Sequence, residues 1–269
     1  MTEFKKYIFP FFLFFIFIPC LGLLPLGASE SESAQNRYKI LADLSKKLPE
    51  KLAEKINKNK QVFLKELNEL LSSEKDNLLI LVDKKHILDK GYKPKTIILL
   101  SDLKNRAYKL DRPDIFLSET AEPALQKMAL AARKAGIRLT VSSGYREYEY
   151  QSNLFNYYIK VYGKLKAKTF SAPPGSSQHQ LGTAVDFGTI DDSYAKTPEG
   201  KWLAANAYKY GWSLSYPKDY ENITEYKWEC WHYRYIGEKA CGFQKKWFGD
   251  IQYYMLFFID EWKKADIKK

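Results

Sequence analysis

Two short segments bring acids and imidazoles close together. In SSQHQLGTAVDF, residues 176–187, His179 precedes Asp186; in KWECWHYRY, residues 227–235, Glu229 precedes His232. Imidazole nitrogens and carboxylate oxygens are ordinary ligands of a catalytic zinc, which takes three protein ligands and leaves a fourth position to water. The separation of His179 from Asp186 is odd, so a single flat strand would place them on opposite faces. Gly182 lies between them and lets the loop turn before TAVDF begins, which allows both side chains to converge. Taken alone, the pair reads more simply as a surface loop histidine and a turn or cap carboxylate.

Glu229 and His232 stand among Trp228, Trp231 and Tyr233. A carboxylate and an imidazole are costly to bury there unless something pairs them. A metal with its bound water would pair both, and Glu229 would then be the general base for that water. Their spacing does not suit a flat strand, so a bulge or bend is expected between them. The alternative is a Glu229–Arg234 pair at a strand edge beside a core-facing histidine. Arg146 in SSGYRE follows a strand and a glycine, where an element terminus can aim a guanidinium into a cleft to hold an oxyanion. By itself it reads as a surface residue at a helix start. His86 lies far upstream in a polar segment, and Asp191 and Asp192 read as a solvated turn.

The elements that must position these residues follow from periodicity. From Glu30 to about Lys75 apolar residues recur at helical spacing, with a break at Pro49, which predicts a helical spacer over 30–76. NLLILVDK reads as a strand. TAEPALQKMALAARKAG reads as a helix with Thr120 as cap and Pro123 in its first turn. IRLTVSS is a strand, REYEYQSNLFNYYIKVYG a helix, FSAPPGSSQHQLG a loop and TAVDF a short strand. TPEGKWLAANAYKYG is a helix with Thr197 as cap. WSLSYP and YKWECWHYRYI are strands by aromatic content. The mixture lacks a regular βαβ rhythm, so the expected fold is α+β, a small antiparallel sheet with flanking helices and an N-terminal helical extension. GDIQYYMLFFIDEW predicts an amphipathic C-terminal helix within 249–269 that packs on the domain.

Lys5 and Lys6 precede a continuous apolar run, Tyr7 to Leu26, and then small residues, GASES. Residues 1–29 therefore read as a signal peptide or a retained membrane anchor. Pro10, Pro19 and Pro25 disfavour a straight spanning helix, and Pro19 fits a lipoprotein site at Cys20 badly. Each reading exports the remainder, to the periplasm or cell envelope. Cys230 and Cys241 are then the only cysteines of the mature domain, either a disulfide or two small buried residues. The net charge of +11 over 269 residues would suit nucleic acid, an anionic membrane or an acidic polymer. The lysines are spread along the chain, however, and no zinc-finger, RNA-recognition or helix-turn-helix signature is present. A solvated basic surface is expected, with no nucleic-acid partner.

SGYR, SSQHQLGTAVD and ECWHYRYIG, in that order, resemble the VanY-type D-alanyl-D-alanine carboxypeptidases, zinc peptidases that share a fold with the hedgehog amino-terminal domain. Ser177, His179, Gly182, Ala184 and Asp186 fill the pattern S-x-H-x-x-G-x-A-x-D, and Glu229, Trp231 and His232 fill E-x-W-H. The resemblance covers the zinc peptidase domain expected over 77–248. It implies that His179, Asp186 and His232 bind Zn2+, that Glu229 is the catalytic base and that Arg146 stabilises the transition state. Ser177 and Gln151 are implied substrate contacts. Many relatives carry Glu where this chain has Gln178, a change expected to bear on substrate preference. The implied activity is removal of the terminal D-Ala from peptidoglycan stem peptides by a monomer. An L,D-carboxypeptidase or endopeptidase on the same scaffold, and a catalytically silent zinc-stabilised cell-wall-binding module, are the alternatives.

Overall fold

The computed structural model describes residues 26–267. Most of the apolar export segment, including Cys20, lies outside them. A compact unit spans Lys39–Lys269, and it contains all the candidate chemistry.

The described residues open with helices α1 (Leu26–Ser45), α2 (Glu50–Lys58) and α3 (Lys60–Ser73). Pro49 immediately precedes α2, as its missing N–H and fixed φ allow. Next come β1 (Ile97–Leu99), β2 (Lys109–Leu110), β3 (Phe116–Ser118), α4 (Glu122–Lys134) and β4 (Thr140–Ser143). Helix α5 (Tyr148–Tyr162) and the single turn α6 (Lys164–Ala167) lead into the loop that carries His179 and then into β5 (Ala184–Phe187). Helix α7 (Pro198–Asn206) begins at Thr197, whose hydroxyl accepts from the Gly200 N–H. The chain ends with β6 (Trp212–Leu214), the single turn α8 (Glu221–Thr224), β7 (His232–Tyr235), α9 (Glu238–Phe248) and α10 (Gln252–Ile267).

Five strands form one sheet in the order β2–β4–β5–β7–β6; β1 and β3 make a separate antiparallel pair. Strand β2 runs parallel to β4, and every other neighbour is antiparallel. The expected α+β fold is what forms, with one parallel edge. Period-two alternation divides the central strands between two faces. Val185, Phe187 and Tyr233 enter a core with Trp212, with Leu125, Met128 and Ala132 of α4, and with Leu203 of α7. Ala184, Asp186, His232 and Arg234 alternate with them, and all four are buried. The sheet thus has one apolar face and one face on which polar groups are sealed from water.

Several local expectations change. NLLILVDK forms turns rather than a strand, and Asp76 and Asn77 adopt φ of 58° and 56°. Its carbonyls meet a side chain instead of a neighbouring strand: fully buried Arg234 donates to Leu78 O at 2.9 Å and to Ile80 O at 2.8 Å. Arg234 is therefore a staple for the leading segment and does not pair with Glu229 at a strand edge. Thr120 does not cap α4; its hydroxyl donates to Asp76 Oδ2 at 3.2 Å, and Ala121 takes the cap position. Only the end of YKWECWHYRYI is a strand, because the His232 N–H turns back to Glu229 O at 3.1 Å. That turn is the bend expected between the two residues. Cys230 and Cys241 are both free and buried.

Helix α3 of the expected helical arm is packed through aromatic contacts. The ring of Phe63 on α3 lies within 5.1–6.1 Å, centroid to centroid, of Phe243, Trp247 and Phe248 from α9 and of Phe258 from α10. Glu66, one helical turn along, accepts from Trp247 Nε1 at 2.8 Å and from Lys246 Nζ at 2.5 Å. Phe63 is fully buried, so Phe63→Ala should cost about 3–5 kcal/mol by chemical denaturation. A loss below about 1 kcal/mol would mean that the arm is not part of the cooperative unit.

Candidate metal centre

Asp186 and His232 are direct cross-strand partners on β5 and β7. Side chains so paired stand within reach of each other, and here His232 Nδ1 lies 3.0 Å from Asp186 Oδ1. His179 comes from a short 3₁₀ turn, Gln178–Leu181, that ends at Gly182. Gly182 has φ of +68°, and a Cβ there would come within 2.8 Å of Ile97 and Pro94. The left-handed turn returns the chain to β5 and sets His179 Nε2 3.2 Å from Asp186 Oδ2. His179, Asp186 and His232 each offer one ligand atom, all within 4.8 Å of one another, and all three residues are buried.

The outer nitrogen of each imidazole is held. His179 Nδ1 lies 2.6 Å from Gly144 O, and His232 Nε2 lies 3.2 Å from Gln178 Oε1. The inner nitrogens therefore face the carboxylate. His179 Nε2 is buried and makes no aligned hydrogen bond there. Two nitrogens and one oxygen converging in this way, one nitrogen without a proton partner, fit a divalent zinc, and the donor set matches its preferences.

Glu229 joins from the turn before β7, with Oε2 3.7 Å from His232 Nδ1. Burial pushes its pKa well above the ordinary carboxylate range; the Asp186 charge adds to this and Arg146 partly opposes it. Burial by itself would also raise Asp186, but the imidazoles of His179 and His232 outweigh it and hold that carboxyl well below its usual range. The His179 imidazole is pushed down to about 4, first by burial and then by Arg146, with Asp186 opposing. The proton affinities of Asp186 and Glu229 are thus driven in opposite directions.

The group opens into a cleft of about 1050 Å³. Arg146, Gln151, Ser177 and Glu229 all line it, along with the three clustered residues. Arg146 is anchored by its own N–H, which donates to His179 O at 3.2 Å. Gln151 Nε2 donates to Ala172 O at 2.7 Å and its Oε1 has no partner. Ser177 Oγ accepts from the His179 N–H at 3.3 Å, so it also caps the histidine turn.

Gln178 is placed differently from expectation: it is absent from the cleft lining and lies behind His232, against Ser215 and Gln252. Sequence reasoning did not find Tyr216, whose ring centroid is 4.9 Å from that of His232 and whose carbonyl accepts from the Glu229 N–H at 3.0 Å. Nothing in SLSYP distinguishes it from a strand aromatic. His86 pairs with Asp83 at 2.9 Å and stays outside the cluster.

A mostly antiparallel sheet carries a buried His–Asp–His group that could hold a metal ion at the foot of a cleft. The family model for VanY, D-alanyl-D-alanine carboxypeptidase, matches residues 114–238. The bifunctional D-Ala-D-Ala dipeptidase and D-Ala-D-Ala carboxypeptidase VanXYC of Enterococcus gallinarum is 31% identical over 170 residues, covering 60% of this chain and 84% of its own length. Among solved structures, the LdcB LD-carboxypeptidase matches with a TM-score of 0.61 at 33% identity, over 68% of this chain and 86% of that one. A mutant of the vancomycin resistance D,D-pentapeptidase VanY, from a VanB-type resistance cassette and in complex with Zn(II), matches with a TM-score of 0.54 at 31% identity, over 66% and 98%. The chain belongs to the VanY family of D-alanyl-D-alanine carboxypeptidases. It spans 62% and 59% of the length of two further relatives, from Bacillus subtilis (strain 168) and Enterococcus faecium.

Gly144 ties this centre to the sheet, since its carbonyl holds His179. A Cβ on it would lie 2.2 Å from Phe116 O, a backbone atom that cannot swing aside. Gly144→Ala should therefore destabilise the protein by about 1–3 kcal/mol in a urea titration. Wild-type stability in that variant would show that the approach of β3 to this loop has slack.

Proposed function

We propose that this protein is a zinc-dependent D,D-carboxypeptidase that removes the terminal D-Ala from peptidoglycan stem peptides outside the cytoplasmic membrane. The observation that carries the reading is the convergence of His179, Asp186 and His232 at the base of a cleft that also holds Glu229 and Arg146. In this reading residues 77–248 are the peptidase domain, 30–76 a helical arm and 249–269 a C-terminal helix. Residues 1–29 serve export or anchoring.

His179 through Nε2, Asp186 through a carboxylate oxygen and His232 through Nδ1 would hold the zinc. Bound there, the ion would polarise the scissile carbonyl and acidify a water molecule. Glu229 takes a proton from the attacking water and returns it to the leaving amine. Its burial favours this role, because the same desolvation that raises its pKa makes the carboxylate a stronger proton acceptor. Arg146 faces the site with a charge that grows more favourable as the carbonyl oxygen becomes an oxyanion. Gln151, with its free Oε1, and Ser177 are the proposed substrate contacts.

An L,D-carboxypeptidase is the second reading, favoured by the match to LdcB over 68% of this chain. A silent cell-wall-binding module has less support, since a structural metal site needs neither a buried Glu229 nor Arg146 in its cleft.

The deciding assay gives full-length, zinc-loaded protein defined muropeptides and follows the products by mass spectrometry. Release of one D-Ala from a pentapeptide supports the D,D reading; release only from a tetrapeptide replaces it with the L,D one. Binding without cleavage would leave the module. Glu229→Gln should keep its zinc yet lose about 10²–10⁴-fold in kcat, measured beside metal content; near-normal turnover would remove Glu229 from the base role.

A further inference from the structure

Behind His232, away from the cleft, five buried residues form a continuous polar chain. Gln178 Oε1 lies 3.2 Å from His232 Nε2 and accepts from Ser215 Oγ at 2.6 Å. Gln178 Nε2 donates to Gln252 Oε1 at 3.5 Å, and Gln252 Nε2 donates to Ser213 O at 3.3 Å. Exposure of Ser213, Ser215, Gln178, His232 and Gln252 is 6% or less, so bulk solvent does not reach these partners.

The direction of this chain is fixed from one end. The Ser213 carbonyl can only accept, so the Gln252 amide must turn its NH2 toward it and its oxygen toward Gln178. Gln178 then presents its own NH2 to Gln252 and its oxygen to His232. That oxygen cannot donate, so His232 Nε2 must carry the proton. The lone pair is thereby left on Nδ1, the atom 3.0 Å from Asp186.

We propose that Gln178 and Gln252 are positioning residues that lock His232 in its Nε2–H tautomer and thereby make α10 a working part of the metal centre. The inference rests on the zinc reading above. It assigns a role to an element outside the residues matched by the family model, 114–238. It also gives Gln178 a purpose other than substrate choice. An amide is a weaker acceptor than a carboxylate, and unlike a carboxylate it has to be oriented. Gln252 supplies the orientation.

The test is zinc affinity of the full chain by competition with a chromophoric chelator, alongside ¹⁵N spectra of the histidine rings. Removing such an outer partner typically weakens metal binding 10–100-fold. Gln178→Leu and Gln252→Leu should each fall in that range, and the double variant should lose little more than Gln178→Leu alone. Gln178→Glu should bind zinc at least as tightly as wild type, and in that background Gln252→Leu should have a smaller effect. The Nε2–H signal of His232 should be present in wild type and lost from the single dominant tautomer in Gln178→Leu. If Gln178→Leu misfolds by circular dichroism, Gln252→Leu and Gln178→Glu decide the matter. Wild-type affinity and an unchanged His232 spectrum in Gln252→Leu, with zinc lost in His232→Ala, would overturn the relay and leave the zinc site standing. Retention of zinc by His232→Ala would overturn both.

Discussion

The pairing of Asp186 with His232 across β5 and β7 is the constraint around which this protein is arranged. Two ionisable groups on a buried sheet face cost free energy unless partners surround them. Asp186 has an imidazole at either oxygen, His232 has Asp186 and Glu229 on one side and Gln178 on the other, and His179 is tethered to Gly144. Because the residues come from a loop, two strands and the turn before one of them, the pairing holds only if strand register, the left-handed turn at Gly182 and the bend at Glu229 are all in place. A one-residue slip of β5 against β7 would send Asp186 into the apolar core and bring Val185 to the site.

The same burial sets the electrostatics. Asp186 and Glu229 are both carboxylates within one small volume, yet their proton affinities are driven apart. Asp186 has two imidazoles as neighbours, and Glu229 has chiefly desolvation and the Asp186 charge. One carboxylate is suited to stay ionised against a cation and the other to take up a proton. Arg146 lies close enough to lower the proton affinity of both Glu229 and His179. It thus supplies positive potential at the place where the proposed reaction develops negative charge.

Much of this was legible in the sequence, for identifiable reasons. Helices α4, α5 and α7 show in apolar periodicity and in turn-forming glycines and prolines, and Thr197 caps α7 as its position before Pro198 suggests. The convergence of His179 with Asp186 could be anticipated from Gly182, and the bend at Glu229 from spacing that no flat strand tolerates. NLLILVDK misled because an apolar run of that length fits any buried segment; what decides its form is Arg234, 154 positions distant from Ile80. Gln178 was legible only as a deviation from a motif. Its meaning depends on Ser215 and Gln252, whose positions relative to it are fixed by packing and by no local pattern.

That dependence explains why the helices outside the sheet matter to the centre. A five-stranded sheet has two faces to cover, and α4 and α7 cover only the apolar one. On the other, Arg234 draws the 78–80 backbone across the strands, while α10 brings Gln252 up behind His232. Helix α10 is in turn braced by α9 and α3 through Phe63, Phe248 and Phe258. A histidine in the metal-binding role proposed for His232 needs its ring held in one orientation to well under the width of a hydrogen bond, and a loop or a strand edge alone does not supply that rigidity. The aromatic packing of the helical arm and the polar chain behind His232 are therefore two ends of one mechanical path, from the Phe63 cluster through α10 to the Nδ1 atom that faces Asp186.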